Sequence, residues 1–229
     1  MKNKESILTL YRVCSERDHN NGYILNSFSK EKLSGTKALQ EMISHELNAS
    51  TARNILYSFT FDLSLAKAYK LRNPENAEIC RLDVNLADMS KSIINIYPVF
   101  SRDYLMSLMA CIPELLKKGS VINPATLREH SILGILNTSQ RSISGWAYGM
   151  KEIMLQCDNL KLEVFDEKEY EQQNEETVNR LIREHLFPKV TIEGIKQLRD
   201  IISSEYERCK CKRRYILDRI TDVHWAKLA

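Results

Sequence analysis

The chain has 229 residues, 43% of them hydrophobic and 28% charged, with a formal net charge of +3. That balance excludes a wholly disordered chain and a membrane-embedded one, and the length is enough to bury a core. The charge is too mild to identify a partner, and no run approaches the roughly 18 apolar residues of a membrane span.

In chain order, the run Ile7-Leu8-Thr9-Leu10-Tyr11 predicts a strand over residues 6–13. No secretory signal is evident before it, so a cytoplasmic location is expected. Ser15 to Asn21, closed by Gly22, reads as a loop. Leu39, Met42, Ile43 and Leu47 recur at helical spacing and predict a helix over 34–48. A β-rich run covers 55–61, and Asp62 reads as the N-cap of a helix carrying Leu63, Leu65, Ala66 and Tyr69. Asn73-Pro74-Glu75-Asn76 ends that helix, and 78–84 predicts the next strand.

The middle of the chain reads as helix over 102–118, broken or kinked at Pro113, and as a second helix opened by Asn123-Pro124 and running to 137. Residues 139–149 have the composition of a loop. Residues 153–156 and 160–165 read as two strands of a hairpin around Asp158-Asn159. Helices are expected over 167–186 and, after Pro188, over 193–219. The six cysteines are scattered without a Cys-x-x-Cys pair and read as reduced thiols. Cys209, Cys211 and His224 lack the spacing and the fourth ligand of a zinc site, so no metal is expected.

Three short stretches carry the chemistry: Leu10-Tyr11-Arg12, Ser58-Phe59-Thr60 and Lys151-Glu152, in the order arginine, hydroxyl pair, glutamate. An arginine can fork onto a phosphate or ribose, hydroxyls can orient a carboxylate, and the carboxylate can stabilise the cation formed as a glycosidic bond breaks. With His45 in the intervening helix, the set resembles the R-S-E class of ADP-ribosyltransferase toxins, to which the catalytic subunits of cholera and pertussis toxins belong. The resemblance spans residues 7–165 and is best around 57–69, where a strand ending in hydroxyls leads into a helix.

The resemblance implies an α+β fold: split antiparallel sheets with flanking helices in a catalytic domain over 1–165, and a helical C-terminal extension over 166–229 packed on it. It implies NAD as the ADP-ribose donor. Arg12 would contact NAD phosphate or ribose, Ser58 with Thr60 would orient Glu152 and the donor, Glu152 would stabilise the oxocarbenium-like transition state, and His45 would lie near Arg12 and the ribose. Arginine-modifying members carry a second glutamate two residues before the catalytic one. Here that position is Met150, whose thioether cannot position or deprotonate an acceptor.

The acceptor loop instead holds Trp146 and Tyr148 between Gly145 and Gly149, a platform on which a nucleobase could stack for about 1–3 kcal/mol. Arg208, Lys210, Lys212, Arg213 and Arg214 could track phosphates. The plainer readings are core aromatics and the solvated face of a helix. The expectation is an intracellular bacterial toxin of a toxin–antitoxin or phage-defence system. It would modify RNA or single-stranded DNA, be held by a neutralising antitoxin protein, and have no membrane partner. Three alternatives stay open: a protein acceptor, NAD glycohydrolysis, and, in another class, a non-enzymatic basic helical binding or regulatory module.

Overall fold

The structure is a computed structural model that describes residues 6–27, 33–48, 55–72, 77–91, 94–117, 147–166 and 173–212. Strands and helices mix along the chain, and among the described residues every strand pair is antiparallel. No described helix is long and apolar enough to cross a membrane. The chain forms two compact units: Met1–Leu33, Asn48–Pro98 and Met150–Phe187 make the first; Ser34–Leu47, Val99–Gly149 and Pro188–Ala229 make the second. Residues 166–187 go with the first unit.

The first unit is built on a six-stranded sheet ordered β5-β6-β3-β1-β4-β8. Its strands are β1 (Ile7–Cys14), β3 (Tyr57–Thr60), β4 (Glu78–Asn85), β5 (Asn95–Tyr97), β6 (Glu152–Gln156) and β8 (Glu163–Val164). A two-stranded sheet joins β2 (Ile24–Leu25) to β7 (Leu160–Lys161). β1 is central and buried on both faces, by Leu8 and Leu10 on one and Thr9 and Tyr11 on the other. It pairs with β4 from Ile7↔Asn85 to Cys14↔Glu78, yet meets β3 at a single pair, Tyr11↔Thr60.

That short pairing has a cause: β3 ends at Thr60 and the chain turns into helix α3 (Leu63–Arg72). The backbone groups of β1 before Tyr11, at Ile7 and Thr9, therefore have no partner from β3 on this side. Gln173 replaces it. Its side-chain oxygen accepts from the Thr9 amide at 2.9 Å, and its side-chain amide donates to the Ile7 carbonyl. One amide side chain thus satisfies the donor and the acceptor that a neighbouring strand would have paired.

The Asp158-Asn159 turn exists, with Asn159 at φ +52°, but it is not a hairpin turn. β6 pairs with β3 and β5, whereas β7 pairs with β2. The Ser27 amide donates to the Cys157 carbonyl, and the Cys157 amide donates to Ser27 Oγ, so the chain is drawn away between the two strands. Ser15 to Asn20 is likewise not wholly loop. Helix α1 (Glu16–Asn20) forms there on a capping box in which Ser15 and Asp18 bond each other's amides. Asp62 caps α3 as expected, its carboxylate accepting from the Ser64 and Leu65 amides.

The second unit's described elements are helices α2 (Gly35–Asn48), α4 (Arg102–Ala110), α5 (Pro113–Leu116) and α7 (Ile192–Lys212). Pro113 does separate α4 from α5 and stands in the first turn of the latter. Helix α6 (Glu175–His185) belongs to the first unit, and its N-cap is Asn174. In α7 the buried Gly194 lies against α4, and a Cβ there would stand 2.9 Å from the Ala110 carbonyl oxygen. Gly194→Ala gains up to about 1 kcal/mol of helix propensity. Overpacking against backbone costs about 1–3 kcal/mol, so a net loss of stability is expected in urea melts. Equal or higher stability would show that α7 shifts freely. The expected helix over 123–137 lies outside the described residues.

Candidate active site

The site residues are divided between the units. Arg12, Ser58, Thr60, Met150 and Glu152 belong to the first; His45, Trp146 and Tyr148 belong to the second. His45 is half-buried in α2. Tyr148 lies in a helical turn over 147–149 and is 61% exposed. Trp146 lies outside the described residues, as do the side chains of the basic cluster from Arg208 to Arg214 and the Cys209, Cys211 and His224 set.

Within the first unit, β3 and β6 run in register over Tyr57↔Leu155, Ser58↔Met154, Phe59↔Ile153 and Thr60↔Glu152. Residues opposite each other on antiparallel strands project to the same face, and neighbours along a strand alternate. Ser58, Thr60 and Glu152 therefore share one face of the sheet, with Tyr11, which pairs with Thr60. Glu152 is only 6% exposed and Thr60 only 8%. α3 covers this face through a cluster of Tyr11, Leu63, Ala66 and Ile79, with Val13 and Phe165 against it.

Arg12 takes the opposite face. Its guanidinium lies 5.4 Å from the Tyr57 ring centroid and 5.9 Å from that of Phe59, the two β3 residues that alternate with Ser58 and Thr60. Its Nη1 nevertheless reaches β3 itself and donates to the Ser58 carbonyl at 2.9 Å. Nη2 stands 4.0 Å from Asp18 of α1, and Nε is buried without a hydrogen-bond partner. Arginine and hydroxyl strand are thus joined, but through backbone; the arginine and glutamate side chains leave the sheet on opposite sides. Cys14 and Cys80 lie on the arginine side, and the hydrogen bond between them, with burial, pushes the Cys14 thiol far up.

The approach to Glu152 is unusual. Lys151 has φ +48°, a left-handed conformation that costs an L-residue other than glycine about 1–2 kcal/mol. Its ammonium sits 3.0 Å from Asp62 Oδ2 and 2.9 Å from Glu175 Oε2, and 5.4 Å from the Phe61 ring centroid. Asp62 caps α3 and Glu175 opens α6, so one lysine ties the N-termini of two helices to the start of β6. Sequence reasoning missed this contact because it joins residues remote along the chain and lysine carries no left-handed signature.

The bond to Glu175 holds the Lys151 ammonium above its ordinary pKa; burial opposes this and Asp62 adds to it. Burial pushes the Asp62 carboxyl up, but Lys151 and the Leu65 and Ser64 amides outweigh it and leave the group below the usual range. A raised lysine stabilises fully below its unfolded pKa of about 10.4 and loses this as pH rises through the folded value. A lowered aspartate stabilises above its unfolded value of about 3.9 and loses this as pH falls through the folded one. The difference in melting temperature between the native chain and Lys151→Met is therefore expected to be flat across about pH 5–9 and to shrink beyond both ends. A steady slope through neutrality would refute the pairing. Glu175 is half exposed, so its arm contributes modestly.

No protein-family model, curated protein or solved structure matches the chain.

Proposed function

We propose that the chain is an NAD-dependent mono-ADP-ribosyltransferase that moves ADP-ribose to a nucleic-acid base and releases nicotinamide. The observation that carries this reading is Glu152, a buried carboxylate in register with Thr60 on the strand whose Ser58 carbonyl the Arg12 guanidinium holds. A carboxylate in so dry a setting is costly unless it meets positive charge. The oxocarbenium-like ribose that forms as nicotinamide leaves is such a charge.

In the reaction the C1′–N glycosidic bond breaks and its electron pair departs with nicotinamide. A nucleophilic nitrogen or oxygen of the acceptor then bonds C1′ and gives up its proton. Glu152 would stabilise the cation, and the hydroxyls of Ser58 and Thr60, on the same face, would orient the carboxylate and the ribose hydroxyls. Arg12 would serve chiefly by fixing β3. Met150 is the neighbour that offers no second acid.

For the acceptor, the exposed ring of Tyr148, four residues before Glu152, supports base stacking, with Trp146 two residues before it in sequence. RNA or single-stranded DNA is therefore favoured over a protein side chain. A cytoplasmic toxin held by an antitoxin protein is the matching biological role. Incubating the chain with labelled NAD and separate RNA, single-stranded DNA and protein pools tests this. Label is expected on nucleic acid; label on protein alone, or free ADP-ribose alone, would replace the acceptor, and no NAD turnover would leave the non-enzymatic module.

A further inference from the structure

We propose that Lys151 is a positioning residue for this site: its clamp on Asp62 and Glu175 sets the backbone from which Glu152 projects beside Thr60. The proposal rests on the reading of Glu152 as the group that stabilises the ribosyl cation.

Three observations converge. Lys151 is one of three described residues other than glycine at positive φ, with Tyr23 and Asn159. Tyr23 follows Gly22 in the turn into β2, and Asn159 belongs to a residue type that tolerates this region. Lys151 has neither excuse, and strain of this kind persists where surrounding contacts over-determine it. Those contacts are the two carboxylates, at 3.0 and 2.9 Å.

The carboxylates are also well placed to matter. Asp62 follows Thr60 by two residues, and the Asp62 amide donates to Thr60 Oγ1 at 3.1 Å. The chain from Lys151 through Asp62 thus returns to Thr60, the register partner of Glu152. A closed circuit results: Lys151 to Asp62 by ion pair, Asp62 to Thr60 by hydrogen bond, Thr60 to Glu152 across the ladder. Glu175 anchors the circuit to α6, whose neighbour Gln173 completes the β1 edge beside it. A carboxylate misplaced by about an ångström loses much of its effect on the transition state. Substrate binding, spread over the rest of NAD, is far less sensitive.

The expected signature is a loss in kcat without a matching change in KM, read from steady-state nicotinamide release by the full chain. Lys151→Met should lower kcat at least tenfold and leave KM for NAD within twofold. Lys151→Arg, which keeps two donors for the two carboxylates, should restore kcat to within about threefold of the native chain. Lys151→Gly relieves the backbone strain but has no clamp, and should stay as slow as Lys151→Met. Glu175→Gln removes one exposed arm, and an intermediate kcat is expected; it decides the matter if Lys151→Met does not fold.

The proposal is overturned if Lys151→Met keeps native kcat, if Lys151→Gly recovers it, if Lys151→Arg is no better than Lys151→Met, or if KM rises in step with the loss. Glu152→Gln in the same assay separates the two levels. A native chain no faster than Glu152→Gln removes the NAD reading and the positioning role together. A native chain well above Glu152→Gln, matched by Lys151→Met, removes the positioning role alone.

Discussion

Glu152→Gln is expected to reduce nicotinamide release by about 10²–10³-fold, the range for removing one preorganised group that meets transition-state charge. The two side chains are nearly the same size and shape, so the packing around β6 is preserved. What is lost is the negative charge facing the forming ribosyl cation. Stability should change little, since the amide fills nearly the same volume at a position only 6% exposed. A loss of turnover without a loss of stability separates catalysis from folding. Ser58→Ala, on the same face, should have a smaller effect. Turnover by Glu152→Gln within a few-fold of the native chain would sink the enzyme reading.

For Arg12→Lys the expected result is a fall in kcat of about 10–100-fold with little change in KM, following the rule that lost positioning shows in the chemical step. Lysine keeps the charge but not the planar surface that lies over Tyr57 and Phe59, nor the fork that reaches the Ser58 carbonyl. Charged hydrogen bonds of this kind contribute about 1.5–3 kcal/mol, and part of that should be lost in urea melts. The sign of the kinetic effect discriminates between two roles. A guanidinium whose main work is gripping NAD would show a raised KM with kcat preserved. Arg12 projects from the face opposite Glu152, so the first outcome is expected, and the second would return Arg12 to the donor contact.

How much of this was legible in the sequence differs from element to element. β1, β4 and α2 were readable because their apolar periodicity is long and agrees with the burial they meet. Asp62 was readable as a cap, since a short acidic side chain before an apolar helical run has one local use. α1 was missed although Ser15 and Asp18 have the spacing of a capping box; five polar residues offered no apolar face to support it. The β6–β7 hairpin was misread for the opposite reason. Its turn is real, but strand partners are chosen across the whole chain.

The site follows the same rule. The order arginine, hydroxyls, glutamate is visible in the sequence, where Glu152 falls just before the strand read over 153–156 rather than at its first position. Which face each side chain takes depends on register, and a slip of one residue reverses every side chain. Nothing local specifies that Tyr11, rather than Arg12, stands opposite Thr60. The Lys151 clamp is invisible for a related reason: its partners are 89 and 24 positions away, too far for any helical or strand spacing to pair them.

The Gln173 amide that completes the β1 edge has a consequence in time. It bonds Thr9 across 164 residues of chain. At about 5–20 residues per second of synthesis, a growing chain waits roughly ten to thirty seconds between making β1 and making the residue that finishes it. Through that interval the strand offers unpaired backbone groups, the kind of surface that recruits foreign strands. The same interval postpones Glu175 and with it one arm of the clamp at Glu152. The clamp thus cannot close, nor the β1 edge be finished, until about three quarters of the chain has been made.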